Sequence, residues 1–396
     1  MQHSYKYIIL GGGMAGANAA MEIRKVDPEG TLLIITQETD KPYYRPPLSK
    51  EFWTNDDYPK DKIFYKIDKD SSIDILTETS ATKINAQEQT VEVDRGDVYQ
   101  YDKLLYAIGG TPKWIEGPES ERVLAIRNLE DYRALRRLTH PGTSAIIVGG
   151  GWIGAELAAG LKVNDVDVTL IFPNEILNEK RLPYMLAKKF NQRFVDLGVK
   201  LINKARADYY SVDGEQVTLM LEDGREFTAD ILILGIGIQP NIELAKAAGL
   251  EVGNGVIADQ YLQSSKPNIY VAGDVLSYPD VIIGRNRFEH EEQAELSGRT
   301  AGRNMTGAKE AYDHGAPLSY TDVLDISIEG VGEMSRNRDD AIIEEVAGGY
   351  IVYYLFKDKP SGILTYNVKV DMNKARDILA NPPATSAELL GMLKPI

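Results

Sequence analysis

The sequence predicts an α/β fold: two doubly wound, Rossmann-type nucleotide domains and a small α+β domain at the C-terminal end. Two observations carry this prediction. An apolar run, Tyr7-Ile8-Ile9-Leu10, leads straight into Gly11-x-Gly13-x-x-Gly16 and a helical stretch over 17–26. The same strand–turn–helix order recurs at Ile146-Ile147-Val148-Gly149-Gly150-Gly151-Trp152-Ile153-Gly154. An uninterrupted apolar run is the pattern of a strand buried in a parallel sheet. In such a turn the first glycine permits the bend and the second lets the backbone approach a pyrophosphate. The third lets helix and strand pack, with the helix N-terminus facing the negative charge. One copy alone reads equally well as a packed turn. Two copies argue for two dinucleotides, and the economical pair is one flavin and one nicotinamide with hydride passing between them. The first copy offers Gly11, Gly13, Met14, Ala15 and Gly16 to one dinucleotide, and the second offers Gly149, Gly151, Trp152, Ile153 and Gly154 to the other.

Composition narrows the chemistry. The 396 residues suit two or three domains. With 44 basic and 59 acidic residues the formal charge is −15, which disfavours nucleic acid or an anionic membrane as partner. There is no cysteine. Thiolate nucleophiles, disulfide exchange and iron–sulfur ligation are therefore excluded, and redox work falls to a bound cofactor. No apolar run approaches the roughly 20 residues of a membrane span. The polar stretch after residue 10 is not a signal-peptide core, so the expected location is the cytoplasm. Asn304-Met305-Thr306 fits a glycosylation acceptor, a match that reads as chance in a protein that is not secreted.

After the first helix, residues 31–36 read as the second strand of a βαβ unit. An acid should follow to hold the adenosine ribose. Gln37 and Glu38 stand there, and Glu38 is the candidate, with a solvated loop acid as the alternative. Pro42-Tyr43-Tyr44-Arg45-Pro46-Pro47-Leu48-Ser49-Lys50-Glu51-Phe52-Trp53 carries three prolines in six residues. It reads as a stiff loop presenting Arg45 and Lys50. Short alternating strands are expected at 73–76 and 90–93. A buried strand then ends in Ala107-Ile108-Gly109-Gly110-Thr111-Pro112, where the chain crosses between domains. Beyond the second fingerprint, the strand 168–172 delivers Pro173-Asn174-Glu175. An acid after this strand favours NADH over NADPH, because it bonds a free 2′-hydroxyl and repels a 2′-phosphate. The strand of residues 269–272 ends in Gly273-Asp274, and a helix from Glu289-His290 runs to about Asn304. Strands are expected at 323–328, 341–346, 350–356 and 362–368, with a helix at 372–379.

The run YYRPPLSKEFW, about 30 residues after the first fingerprint, resembles the two-dinucleotide flavoprotein reductases. Within them it is similar to the apoptosis-inducing factor and ferredoxin/rubredoxin reductase group, over nearly the whole chain. The resemblance implies a glutathione-reductase-like architecture. Its flavin domain would span 1–113 and 246–314, its NAD(H) domain 114–245, and its C-terminal dimerisation domain 315–396. It implies that Arg45 contacts the flavin nucleotide and that Lys50 lies beside the isoalloxazine ring, paired with Glu156 near flavin N5. A cation there stabilises the reduced ring.

The family usually has an acid at Gln37 and a threonine at Ile108, so those transfers change here, while Ala107 and Gly109 keep the turn. Arg127 matches an arginine that covers the flavin, with an exposed helix-start side chain as the alternative. Trp152 matches an aromatic that shields the flavin in the apoptosis-inducing factor branch; the alternative is a core aromatic under the turn. The family acid aligns with Asn174, with Glu175 one residue on. Gly237 opens a Gly-x-x-Pro-Asn return, and Asp274 matches the acid that accepts bonds from the ribityl chain. Glu289 and His290 would border nicotinamide and isoalloxazine, with His290 a proton donor or a structural residue. Tyr320 stands where relatives carry tryptophan.

The implied activity is NADH:acceptor oxidation through FAD, without a protein thiol. It takes either an apoptosis-inducing-factor-like form with an NAD charge-transfer complex or the form of a ferredoxin/rubredoxin reductase. Quinone and oxygen are further acceptors, and a homodimer, responsive to NADH, is the expected assembly. The regulatory insertion, transit peptide and membrane anchor of the animal factor are not in the sequence.

Overall fold

The computed structural model describes residues 3–67, 73–281, 284–313, 315–334 and 341–396. The chain forms two compact units. One comprises Met1–Arg45, Pro59–Thr111 and Gln239–Leu318; the other comprises Pro46–Tyr58, Pro112–Ile238 and Ser319–Ile396.

The first unit is built on a seven-stranded sheet. Its parallel centre runs Ile73–Leu76, Leu32–Ile35, His3–Leu10, Val98–Tyr106 and Ile269–Val271, with Thr90–Val93 and Ala81–Asn85 as an antiparallel extension. Residues 7–10 and 32–35 are buried throughout, which is why those runs are apolar without alternation. The first helix, Met14–Val26, starts inside the fingerprint, three residues earlier than the sequence pattern suggests. Its N-cap is Gly13, with no side-chain capping bond, so the first-turn N–H groups stay available to a ligand. Against it lies Glu291–Met305. A Cβ at Gly298 would enter the Ala15 carbonyl, and one at Gly302 would come within 2.6 Å of the Ala19 oxygen. The two helices thus meet at backbone distance. Asn304 is buried here, donating to the carbonyls of Tyr261 and Glu310 at 2.8 Å and accepting from the Glu310 N–H. It is a structural pin, not an accessible glycosylation site.

The second unit holds a five-stranded parallel sheet in the order Lys200–Ile202, Asp167–Ile171, Ser144–Val148, Ile231–Leu234, Val123–Leu124. The helix Trp152–Lys162 likewise starts inside the second fingerprint, again from a glycine without a side-chain capping bond, Gly151. Gly160 lets this helix approach Trp53 of the proline loop, whose Cβ would lie 2.7 Å from an added Cβ. The C-terminal portion carries an antiparallel sheet, Leu318–Val323, Ile326–Gly332, Lys359–Tyr366, Gly349–Phe356 and Ala341–Val346, then the helix Met372–Ala380. One expectation is corrected here: residues 323–328 are not one strand. Leu324 sits at φ 58°, in the left-handed region, and turns the chain between two strands.

Candidate functional site

The first unit gathers most of the expected flavin residues around one turn. Gly11, at φ 111°, lies so close to the Ala107 carbonyl that a Cβ would overlap it, and Gly16 is equally tight on the Gly11 carbonyl. The turn is therefore pressed against the end of Val98–Tyr106, where Gly109 also has φ 62°. Asn241 braces that end. Its N–H donates to the Gly109 carbonyl and its amide to the Ile108 carbonyl, both at 3.0 Å, and it accepts from the Thr111 hydroxyl at 2.8 Å.

Above Gly13 the Arg45 guanidinium lies 3.6 Å from where a Cβ would stand. Arg45 pairs with Glu38, whose other oxygen accepts from the Tyr43 hydroxyl at 2.6 Å, and the guanidinium stacks 5.2 Å from the Tyr43 ring. Burial works against this cation, but Tyr43, Glu38 and Asp274 outweigh it and raise its pKa above the ordinary guanidinium value. Of the two positions after the second strand, Glu38 is half-buried and Gln37 is exposed. Asp274 is half-buried on the 3₁₀ turn Gly273–Val275, and a Cβ added at Gly273 (φ 76°) would stand 3.0 Å from the Ala15 Cβ. Met14 and Ala15 are buried beside it.

The helix expected from Glu289 begins at Glu291, with His290 as an N-cap that makes no side-chain capping bond. Glu289 stays outside it, exposed and paired with Arg287 at 2.6 Å. Gln293, in the first turn, is 1 % exposed, and neither of its amide atoms has a protein partner. A glycine cradle with no room for side chains, a cation over it, an acid at its edge and an unpartnered buried amide fit a dinucleotide such as FAD.

The second unit repeats the cradle. Gly149 (φ 125°) presses on the Gly235 carbonyl and Gly154 on the Gly149 carbonyl, while nothing lies within 4 Å of a Cβ at Gly151. Gly237 is exposed at φ 92°. Trp152 is half-buried, edge-on to Phe190 at 6.0 Å and beneath the Arg181 guanidinium at 5.8 Å; Ile153 beside it is 45 % exposed. Asn174 accepts the Lys204 N–H on its carbonyl at 2.9 Å. Glu175 is exposed and pairs with Lys204 at 3.3 Å, and its carbonyl accepts from the Asn203 amide. Arg127 is half-buried just before the helix Leu129–Leu138, where its N–H donates to Asp131 at 2.9 Å.

Lys50 and Glu156 meet in the same unit. Glu156 is 5 % exposed and accepts from Lys50, from Ser49 Oγ at 2.6 Å and from Thr321 Oγ1 at 2.6 Å. The Lys50 ammonium lies 5.3 Å from the Tyr320 ring centre. Lysine, glutamate and tyrosine come from segments far apart in sequence, yet all three were legible as candidates. Tyr43, Asn241, Ser49, Thr321 and Lys204 were not. Small hydroxyls and lone lysines carry no spacing signal; Tyr43, Ser49 and Asn241 stood within marked motifs without a role, and Thr321 and Lys204 stood in none.

These features define a two-dinucleotide oxidoreductase. The chain belongs to the pyridine nucleotide-disulphide oxidoreductase family, whose profile matches residues 5–298. It is a flavin- and pyridine-nucleotide-dependent enzyme of that family, without the cysteines its name suggests. It is 30% identical to the putative mitochondrial apoptosis-inducing factor 1 of Drosophila melanogaster, over 94% of this chain and 63% of that protein. It is 30% identical to the peroxisomal monodehydroascorbate reductase 1 of Arabidopsis thaliana, over 84% of this chain and 83% of that protein. Among solved structures, a chain of a covalent putidaredoxin reductase–putidaredoxin complex superposes with a TM-score of 0.90 at 27% identity, covering 98% of this chain and 95% of that one. Among the described residues no helix is long and apolar enough to cross a membrane.

Proposed function

We propose that this protein takes hydride from NADH onto bound FAD and releases the electrons slowly to an external acceptor, retaining oxidised nicotinamide in the manner of apoptosis-inducing factor. The observation that carries this is the Lys50–Glu156 cluster, a buried carboxylate holding a cation against an aromatic ring, in a chain without thiols. FAD, when bound, supplies the two-electron centre; the chain supplies what surrounds it. Gly11, Gly13 and Gly16 leave room for the pyrophosphate, and Arg45 balances its charge. Glu38 turns to the adenosine ribose, and Asp274 accepts from the ribityl hydroxyls. Ala107 and Gly109, Arg127, Glu289, His290 and Tyr320 complete the flavin surround, and Lys50 sets the field at the ring. Gly149, Gly151 and Gly154 seat the nicotinamide dinucleotide, with Asn174 and Glu175 at its ribose and Gly237 at the return. Trp152, held between Phe190 and Arg181, restrains nicotinamide exchange, which favours slow turnover. The domain limits given above, a homodimer and a cytoplasmic location belong to the same proposal.

The likeness to the putidaredoxin complex over nearly the full chain favours a second reading, reduction of a small iron–sulfur carrier. A charge of −15 slows encounter with an acidic carrier. Anaerobic NADH titration of the purified protein, followed in the visible and then in air, separates the readings. A long-wavelength band that persists in air is expected. Bleaching without that band, with fast transfer to a ferredoxin, rubredoxin, quinone or monodehydroascorbate, overturns the slow-turnover reading. A protein without a flavin band overturns both.

A further inference from the structure

We propose that Ser49 and Thr321 are positioning residues for this redox reaction: their hydroxyls clamp the Glu156 carboxylate so that Lys50 is held in one place over Tyr320. The inference rests on the functional reading above and deepens it.

Glu156 projects from the helix Trp152–Lys162 and is 5 % exposed. Its two oxygens are differently employed. Oε2 accepts from Ser49 Oγ at 2.6 Å, while Oε1 accepts from Thr321 Oγ1 at 2.6 Å and from the Lys50 ammonium. Consecutive residues of the proline loop therefore grip opposite oxygens of one carboxylate, and a strand near residue 320 adds a second donor to the oxygen that faces the lysine. A carboxylate bonded only to one flexible lysine is free to rotate about its terminal bond and to offer either oxygen. Two short hydroxyl side chains with few rotamers remove that freedom. The four-carbon stem of Lys50 then has one oxygen to meet, and its ammonium settles 5.3 Å from the Tyr320 ring centre. The lysine loop is itself fixed, since Trp53 Nε1 donates to the Leu48 carbonyl at 2.8 Å and Trp53 packs on Gly160. The carboxylate clamp is the remaining degree of freedom.

Ser49→Ala and Thr321→Val remove a hydroxyl with almost no change of shape. Each leaves a carboxylate oxygen short of a donor, and the lysine shares itself between both oxygens. In the flavin-loaded protein, each variant is expected to slow flavin reduction by NADH roughly tenfold with KM nearly unchanged. Each should also lower the flavin midpoint potential, a readout independent of turnover. Ser49→Thr and Thr321→Ser should restore both properties. In a Glu156→Gln background the two substitutions should add nothing further, because they act through that one carboxylate. Variants that bind flavin with wild-type potential and reduction rate, or that lose only thermal stability, overturn the proposal while the functional reading stands. A wild-type protein that carries no flavin, or is not bleached by NADH, overturns the reading itself and this proposal with it.

Discussion

The two glycine cradles share their backbone design and differ in what covers them. In both, the first glycine takes a positive φ against a carbonyl of a neighbouring strand end, and the third closes on the carbonyl of the first. Over Gly13, however, stands a mostly buried guanidinium, itself tied to Glu38 and Tyr43. Over Gly151 there is open space, and the acid at the corresponding strand end, Glu175, is exposed and meets an exposed Lys204. A charge buried against a nucleotide strengthens every bond it makes there, whereas exposed charges are screened. The first cradle thus suits a nucleotide that stays and the second one that exchanges.

The sharpest way to break this comparison is to fill each cradle in turn. Gly16→Val and Gly154→Val both drive a side chain into a backbone carbonyl. Gly16→Val should cost about 3 kcal/mol of stability, the upper end for overpacking, and abolish the flavin band. Gly154→Val should keep the band yet lose bleaching by NADH. Absorbance and thermal melts read both. If the second substitution also empties the protein of flavin, the cradles are not separate sites.

Next in size is Arg45→Ala. It leaves Glu38 without its cation, and flavin affinity should fall by about 2 kcal/mol, some thirtyfold, measured by flavin release on dilution. Arg45→Lys should recover only part of this, because a point charge does not reproduce the planar guanidinium that meets Glu38 and stacks on Tyr43. NADH affinity should stay within error in both, and a matching loss there would erase the distinction between retained and exchanging nucleotide.

A smaller effect is expected at the open cradle. Glu175→Ala should narrow any preference for NADH over NADPH, and Lys204→Ala should widen it, each by less than about tenfold because both groups are solvent-screened. The ratio of kcat/KM for the two coenzymes is the measurement. No change in either variant would return Glu175 to the role of a surface acid.

Which features were legible in the sequence follows the same division. Both cradles were readable because backbone contact dictates the first and third glycines of each, where a Cβ would overlap a carbonyl. The parallel strands were readable because burial on both faces leaves no polar positions. The strand break at Leu324 was not, since a leucine at positive φ violates local preference and is imposed by the sheet around it. The helix expected over 17–26 starts earlier, at Met14, because Gly13 serves as its N-cap and Gly16, read as the packing glycine before the helix, lies inside its first turn. The Lys50–Glu156 pair was named from the resemblance, but the hydroxyl partners of Glu38 and Glu156 were not: Tyr43 and Ser49 stood unmarked inside the proline loop and Thr321 outside any motif, and their meaning comes from tertiary contact.

At the rear of each cradle a carboxylate ties the first strand down, and there the two units behave alike. Asp27 accepts from Lys6 at 2.6 Å, from the Tyr7 hydroxyl at 2.8 Å and from the Gly30 N–H at 2.9 Å. Its bonds to Lys6 and Tyr7 hold its pKa down at about 2, against an ordinary 3.8. Asp230 accepts from both the N–H and hydroxyl of Ser144 at 2.7 Å, and those bonds likewise lower its pKa. A depressed carboxyl stabilises the folded state only while ionised. Its contribution is therefore complete above the unfolded value and disappears as pH falls through the folded one. Asp27→Asn should thus lower stability by about 1 kcal/mol at pH 7, after discounting for solvent screening. The gap to wild type should close as pH falls from 3.8 to about 2. Asp230→Asn should follow the same course below 3.8. Urea midpoints across that range test both, and a gap that persists unchanged at the acid end would show that these carboxylates act through shape and not through charge.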